Sequence, residues 1–341
     1  MQGLKNIGST CAINSLVQMI CRNDTLRDII INYNLSDDTL TSHLKDILVS
    51  MHINNKSLIP RKFVTKIFET FQDIFTFGEQ LDIYEFWIFL YGKIIEEVNQ
   101  EPSHFDIIST NKLIKDKIKK GIVYKNEKEF TYSLLNSNRL RDKFDYYNVK
   151  LNDNKTSKLQ IATQGFFLNI TKCSKCQNVL YNFESFTTLN LNIPNDNNIP
   201  SIAYMIMQNY KEELKYGDWK CDICNELHEY HKSTKIWSLP DVLFVVINRF
   251  VSTDVKNNNP IYINENFCFK KGTILNNIEI DKRYYLSSIA MHIGGVAGGH
   301  YTAICDNEEG YYLYNDLHIS KVDNFLEHNK NVYMLIYNYK K

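Results

Sequence analysis

No stretch of this sequence approaches the roughly 18 consecutive apolar residues that a membrane-crossing helix needs, so no span is expected. Net charge is also missing. The 39 basic residues balance 39 acidic ones, so no chain-wide field invites nucleic acid or an anionic membrane. The N-terminus lacks the charged-then-apolar run of an export signal. Glycine (13) and proline (6) are sparse beside abundant Asn, Ile, Lys and Tyr, a bias that reflects nucleotide composition more than function. No internal repeat is visible. What remains is an ordinary globular composition, 44% hydrophobic and 23% charged, in 341 residues: one large domain or two packed subdomains. The eight cysteines do not read as a disulfide framework, because four fall in two CxxC pairs and no export signal is present. A reducing, intracellular compartment, cytoplasmic or nuclear, is the expectation.

Apolar residues recur about every 3.6 positions in SLVQMI, SHLKDILVSMHI, FVTKIFETFQDIF and IYEFWIFLYGKIIEEV, which predicts helices through the first hundred residues. Residues 103 to 160 are polar and weakly patterned, with one helix expected near 139–148. From residue 161 the pattern changes to short segments rich in Tyr, Phe, Ile and Val, which predict strands. A short helix in SIAYMIMQNYKEEL and a loop at 253–260 interrupt them. Helices first and antiparallel strands afterwards make an α+β chain.

Cys11 sits where the small residues Gly8, Ser9 and Thr10 give way to an apolar helical pattern. A thiolate there is stabilised by unpaired backbone N–H groups and the positive end of the helix dipole. Far downstream, GGHYTA places His300 behind two glycines, and an imidazole brought to the thiol by folding takes its proton as a general base. The adjacent Asn315 and Asp316 are the candidates to accept the imidazole's second N–H, and a carboxylate stabilises an imidazolium better than an amide does. Cys173-x-x-Cys176 and Cys221-x-x-Cys224 supply four soft thiolates, the usual set of a closed structural zinc site with no open position for a catalytic water. Cys21, Cys268 and Cys305 have no such context and are assigned to packing.

Four boxes, taken in order, resemble those of the ubiquitin-specific proteases. GLKNIGSTCAINSLVQ (3–18) is similar to that family's cysteine box and GEQLDIYEF (78–86) to its QQDAxEF motif. LPDVLFVVINRF (239–250) is similar to its LPxxLxxxLxRF strand, and YYLSSIAMHIGGVAGGHYTAI to its histidine box. The resemblance implies a papain-like cysteine protease domain over 1–341. A helical thumb would cover about 1–105, zinc-ribbon-type β fingers 165–245 and a β-rich palm 246–341. It further implies Cys11 as nucleophile, His300 as base and Asn315 as third member with Asp316 in support. The Asn6 amide, with backbone N–H groups around Thr10 and Cys11, would stabilise the oxyanion.

The same resemblance gives Asp82, with Glu85 on the same helix face, the extended tail of ubiquitin to hold, and makes His292 a lining of the channel. Gly294, Gly295, Gly298 and Gly299, walled by Tyr301 and Tyr314, would admit only a Gly-Gly end. The four paired cysteines would hold structural zinc at the finger tips. The implied activity is hydrolysis of the (iso)peptide bond after the last glycine of ubiquitin in ubiquitin-conjugated proteins, by a monomer. Its rivals are a protease for another Gly-Gly modifier and an inactive ubiquitin-binding scaffold; a general papain-like peptidase would lack the paired CxxC and the QxDxxEF motif. Three positions depart from the family pattern: Ser9 replaces an Asn, Ala12 replaces an aromatic, and the doubled Gln is reduced to Gln80-Leu81.

Overall fold

The computed structural model describes residues 1–53, 58–98, 155–195, 198–210, 213–252, 254–270, 281–325 and 329–340, with isolated positions between 140 and 151 and at 273. Helices α1 (Cys11–Arg22), α2 (Asp24–Ile31), α3 (Leu40–Ile53), α4 (Arg61–Thr70) and α5 (Ile83–Val98) fill the first hundred residues, as the periodicity predicts. Every residue of α1 from Cys11 to Cys21 is buried, so this is a core helix and not a surface amphipath. Asn23 serves two helices. Its backbone N–H bonds the Ile20 carbonyl at the end of α1, and its side chain caps α2 by accepting from the Leu26 N–H at 3.1 Å.

A short helix, α6 (Lys158–Thr163), leads into the β half. Strands β1 (Gly165–Cys173), β2 (Val179–Phe186) and β3 (Thr188–Asn192) precede helix α7 (Ile202–Asn209). After it come β4 (Glu213–Lys220), β5 (Leu227–Ser238), β6 (Val242–Asn248), β7 (Asn266–Phe269) and β8 (Lys282–Gly295). The chain ends in β9 (Gly298–Asn307), β10 (Gly310–Asn315), β11 (His318–Lys321) and β12 (Val332–Tyr339). One sheet has the order β2-β1-β5-β4; the other runs β11-β10-β9-β8-β12-β6-β3, with β7 also paired to β8. Neighbours are antiparallel except β3 and β6. The helical half, larger sheet and four-stranded sheet form the thumb, palm and fingers that the resemblance implies. The range 165–245 expected for the fingers also contains β3 and part of β6, which belong to the larger sheet. Of the helix expected near 139–148, residues 140, 143, 144, 147 and 148 are described and helical, and Phe144 packs with Phe166, Leu168, Phe183 and Trp237. Residues 103–139 lie outside the described residues.

Strand periodicity divides the core in two. Along β6, Phe244 and Val246 join the cluster under the helices, while Leu243, Val245 and Ile247 join the cluster on the other face with α7. Trp87 of α5 stacks on Phe244 at 4.4 Å. Ala290 and Ala303 face each other across β8 and β9, and their small side chains let α1 lie close to the sheet. Among the described residues no helix is long and apolar enough to cross a membrane.

Arg249, at the end of β6, is fully buried and binds four carbonyls from three places. Its Nε donates to Val332, Nη1 to Asn257 and Asn259, and Nη2 to Asn329. Burial pulls its pKa down to about 10, which leaves it charged at neutral pH. The guanidinium therefore ties the 257–259 loop and the start of β12 to the palm. Arg249→Met leaves those acceptors without a donor in a desolvated place. It should lower unfolding stability by roughly 3 kcal/mol or more in urea titrations; a loss under about 1 kcal/mol would show that the loops hold without it.

Candidate active site and metal centre

Cys11 is the first residue of α1. The approach to it is a tight turn with left-handed backbone at Gly8 (φ 119°) and Ser9 (φ 54°). Asn is at ease there and Ser less so, so the Ser9 departure strains the turn without removing a reacting group. Ala12 is fully buried behind it. The Thr10 hydroxyl does not cap the helix; it accepts from the Ile7 N–H at 3.1 Å and donates to Asn6 Oδ1 at 3.2 Å. The backbone N–H groups of Tyr301, Ala12 and Cys11 itself favour the Cys11 thiolate. Burial pushes the thiol pKa up and Asp316 adds to this, which outweighs those donors. The resting thiol is protonated at neutral pH.

Tyr301 follows His300 on β9 and shares one packed cluster with Cys11, so the packing brings Cys11 to the histidine's strand. His300 Nε2 lies 2.7 Å from Asn315 Oδ1. An amide oxygen only accepts, so with the amide assigned this way round Nε2 carries the proton and Nδ1 is the basic nitrogen. The neighbouring Asp316 turns elsewhere, with φ 51°. Its carboxylate accepts from Asn6 Nδ2 at 3.1 Å and Asn14 Nδ2 at 2.7 Å, and its carbonyl accepts from Leu4 N at 2.9 Å. Of the two adjacent candidates, Asn315 faces the imidazole and Asp316 holds the N-terminal segment. Asn6 Oδ1 in turn accepts from Thr10 N and Gly8 N, closing the turn before Cys11. Asn14 had no assigned part in the sequence reading, although it stands within the cysteine box.

Asp82 is fully engaged. Its Oδ1 accepts from Tyr84 N and Glu85 N at the start of α5, and its Oδ2 accepts from the Tyr301 hydroxyl at 3.0 Å. Glu85 is exposed on the first turn of α5. Gln80, quoted in the motif but given no part, accepts the Gly299 N–H at 2.7 Å. Near the end of the β8–β9 hairpin, Gly294 and Gly299 have no room for a side chain, whereas Gly295 has open space. A Cβ on Gly299 would stand 2.3 Å from His292 Nε2, and one on Gly294 would stand 2.5 Å from the Gly299 Cα. His292 is buried, and burial, then the charge of Lys256, push its pKa down to about 4. It is neutral at pH 7 and unsuited to serve as base. Tyr301 packs 4.7 Å from the His292 ring. Tyr314, expected to wall the channel, is instead buried in the core beneath Arg22 of α1.

The two CxxC turns meet because β1 and β5 are neighbours, which sets the β1–β2 turn beside the β4–β5 turn. The turns share one geometry. Cys173 O accepts from Gln177 N and Cys221 O from Asn225 N, and both donor residues, Gln177 (φ 61°) and Asn225 (φ 57°), are left-handed. The four Sγ atoms lie within 4.8 Å of one another, with Cys176–Cys221 at 3.6 Å and Cys173–Cys224 at 3.9 Å. Sulfurs about 2.3 Å from a tetrahedral zinc are about 3.8 Å apart, so the set fits that ion. Burial raises Cys173, but the N–H groups of Cys176 and Lys175 outweigh it and bring the thiol down. Contact with the Cys176 sulfur pushes Cys224 up, the repulsion that a cation among four thiolates removes.

The probable ubiquitin carboxyl-terminal hydrolase 9 of Schizosaccharomyces pombe is 29% identical over 173 residues, which cover 48% of this chain and 29% of that protein. Ubiquitin carboxyl-terminal hydrolase 46 of Caenorhabditis elegans is 24% identical, over 94% of this chain and 79% of its own length. Human ubiquitin carboxyl-terminal hydrolase 21 is 24% identical, over 98% of this chain and 61% of its own. In fold, the chain resembles a component of the SAGA Ubp8/Sgf11/Sus1/Sgf73 DUB module bound to ubiquitin aldehyde, with TM-score 0.70 and 20% identity over 100% of this chain and 70% of that one. The ubiquitin carboxyl-terminal hydrolase family profile matches residues 2–337, and the chain belongs to that family.

Proposed function

We propose that the chain is a cysteine-type deubiquitinase that hydrolyses the bond after the C-terminal glycine of ubiquitin in ubiquitin–protein conjugates. The observation that carries this reading is Cys11 on the first turn of a helix packed with Tyr301 of β9, the strand whose neighbouring His300 has its Nε2 held by Asn315 at 2.7 Å. Ubiquitin as substrate is supported by the family and by the related module bound to ubiquitin aldehyde. A protonated, half-desolvated thiol attacks poorly, so His300 Nδ1 takes its proton as the sulfur bonds to the glycine carbonyl carbon. The oxyanion meets the first-turn N–H of α1 and the second N–H of Asn6 Nδ2, whose first is held on Asp316. His300 then returns the proton to the departing lysine amine, leaving a thioester at Cys11. Water, deprotonated by His300, attacks the thioester; ubiquitin leaves with a free carboxylate and the thiol is restored.

In this reading Cys173, Cys176, Cys221 and Cys224 hold a structural zinc. Bound there, it would cross-link the tips of the fingers and take no part in bond breaking. Eight free cysteines, one of them the nucleophile, suit a reducing intracellular compartment.

Mixed with ubiquitin bearing a C-terminal electrophile, wild type should gain one ubiquitin by mass and Cys11→Ala none. An adduct only with another Gly-Gly modifier would change the substrate, and no adduct with any would make the chain a scaffold. His300→Ala should lower kcat by roughly 10²- to 10⁴-fold, with the fold intact by circular dichroism. Because the free thiol is pushed above its ordinary value of 9.0, its alkylation by iodoacetamide should keep rising above pH 9; a plateau near pH 7 would contradict the protonated resting thiol. Metal analysis should find one zinc per chain in wild type, and Cys221→Ser should lose it and unfold at a lower temperature.

A further inference from the structure

The β8–β9 hairpin carries Gly299 and His300, yet one of its edges runs past the sheet. β12 pairs with β8 only as far as Met291, and one further bond, from the His292 N–H to the Asn331 carbonyl, ends that contact. Beyond it the His292 and Gly294 carbonyls, two residues apart on one strand, face the same side. Lys256 covers that edge. Its ammonium lies 2.7 Å from the His292 carbonyl, 2.9 Å from the Gly294 carbonyl and 2.9 Å from His292 Nδ1. An ammonium has three donors and no acceptor, and here three acceptors use all of them. Nδ1 must therefore accept, which leaves the His292 proton on Nε2, the atom packed against Gly299.

Backbone bonds on either side hold the lysine in place. A short turn brings it back, with Phe250 bridged to Lys256 and Val251 N bonded to the Val255 carbonyl. Buried Arg249 grips the following loop at the Asn257 and Asn259 carbonyls, and Asn257 N returns a bond to the Arg249 carbonyl. A chain of direct contacts thus runs from a core guanidinium through Lys256 and His292 to the glycine before His300.

We propose that Lys256 is a positioning residue for the hydrolysis: its three donors staple the β8–β9 hairpin at the end that presents Gly299 and His300, and fix His292 as the Nε2–H tautomer beneath Gly299. The activity part of this statement rests on the deubiquitinase reading; the tautomer does not. The groups that face His292 are Lys256 from the loop, Asp82 from before α5, His300 and Tyr301 from β9, and Tyr333 from β12. Asp82 favours its imidazolium, while burial, Lys256 and His300 oppose it more strongly. Without the staple His292 regains both tautomers and its proton, and the hairpin end is free to shift.

The test combines ¹⁵N-histidine spectra between pH 5 and 9 with kcat and KM on a ubiquitin C-terminal fluorogenic amide. It uses wild type, Lys256→Met and Lys256→Arg, with His292 assigned from a His292→Gln variant. In wild type, His292 should show an unprotonated Nδ1 and a protonated Nε2 throughout that range. In Lys256→Met, His292 should titrate or mix tautomers within the range, and kcat/KM should fall on the order of 100-fold, mainly in kcat, as misplaced reacting groups do. Lys256→Arg keeps the charge, but its planar fork does not converge on three clustered acceptors, so it should recover only a small part of the loss. A wild-type His292 that is protonated on Nδ1, or that titrates near neutral pH, overturns the proposal. So does a Lys256→Met enzyme within about threefold of wild type in kcat/KM. A wild type with the expected tautomer but no ubiquitin hydrolysis would instead overturn the functional reading and leave the staple standing.

Discussion

Burial of α1 against β8 and β9 is the constraint on which the candidate site depends. Ile13, Leu16, Val17, Met19 and Ile20 are each fully buried. At about 1.5–3 kcal/mol per side chain, their burial amounts to on the order of 10 kcal/mol as an upper estimate. That is comparable to the whole net stability of a typical domain, so α1 does not leave the sheet without the protein unfolding. The position of Cys11 beside β9 is therefore a property of the core and not of a loop. Ala290 and Ala303 make the approach possible, since larger side chains there would lift the helix and carry the sulfur away from His300.

Polar contacts refine what packing sets roughly. The Asp316 carboxylate joins Asn6 in the turn before Cys11 to Asn14 one helical turn after it, and so fixes the sulfur's own segment from both sides. Asn315 holds His300, Gln80 and Asp82 hold β9 at Gly299 and Tyr301, and Lys256 holds β8. Each bond alone contributes on the order of 1 kcal/mol or somewhat more. Their value lies in direction: the groups are oriented before any substrate arrives, and the low polarity that keeps the thiol protonated also strengthens the later charge interactions.

Much of this was legible in the sequence because it rests on local pattern. The 3.6 period gave α1 through α5, alternation and aromatic content gave the strands, and two equal CxxC turns gave the four-cysteine cluster. What was not legible depends on partners far apart in the chain. Nothing local distinguishes Asn315 from Asp316; the split comes from a left-handed residue at 316 and from amides more than 300 positions away. Asp82 reads as one of two acids on a helix face, yet it is a helix cap that also binds Tyr301. Lys256 lies in an Asn-rich loop where any lysine looks solvated, and only the premature end of the β8–β12 pairing gives it three acceptors. Tyr314 sits next to a site residue in sequence, but strand alternation turns it into the core.

The hydrogen bonds around Cys11, the proposed nucleophile, describe a site assembled before substrate. A crystal structure of the complex with ubiquitin aldehyde tests this most directly. The expected result is a covalent bond from Cys11 Sγ to the aldehyde carbon, with its oxygen on Asn6 Nδ2 and a first-turn N–H of α1. Residues 3–14, 292–301 and 313–316 should keep the hydrogen bonds described for the free chain. A bond to a different cysteine, or a Cys11 reached only after α1, Asn315 or the β8–β9 hairpin had rearranged, would contradict it.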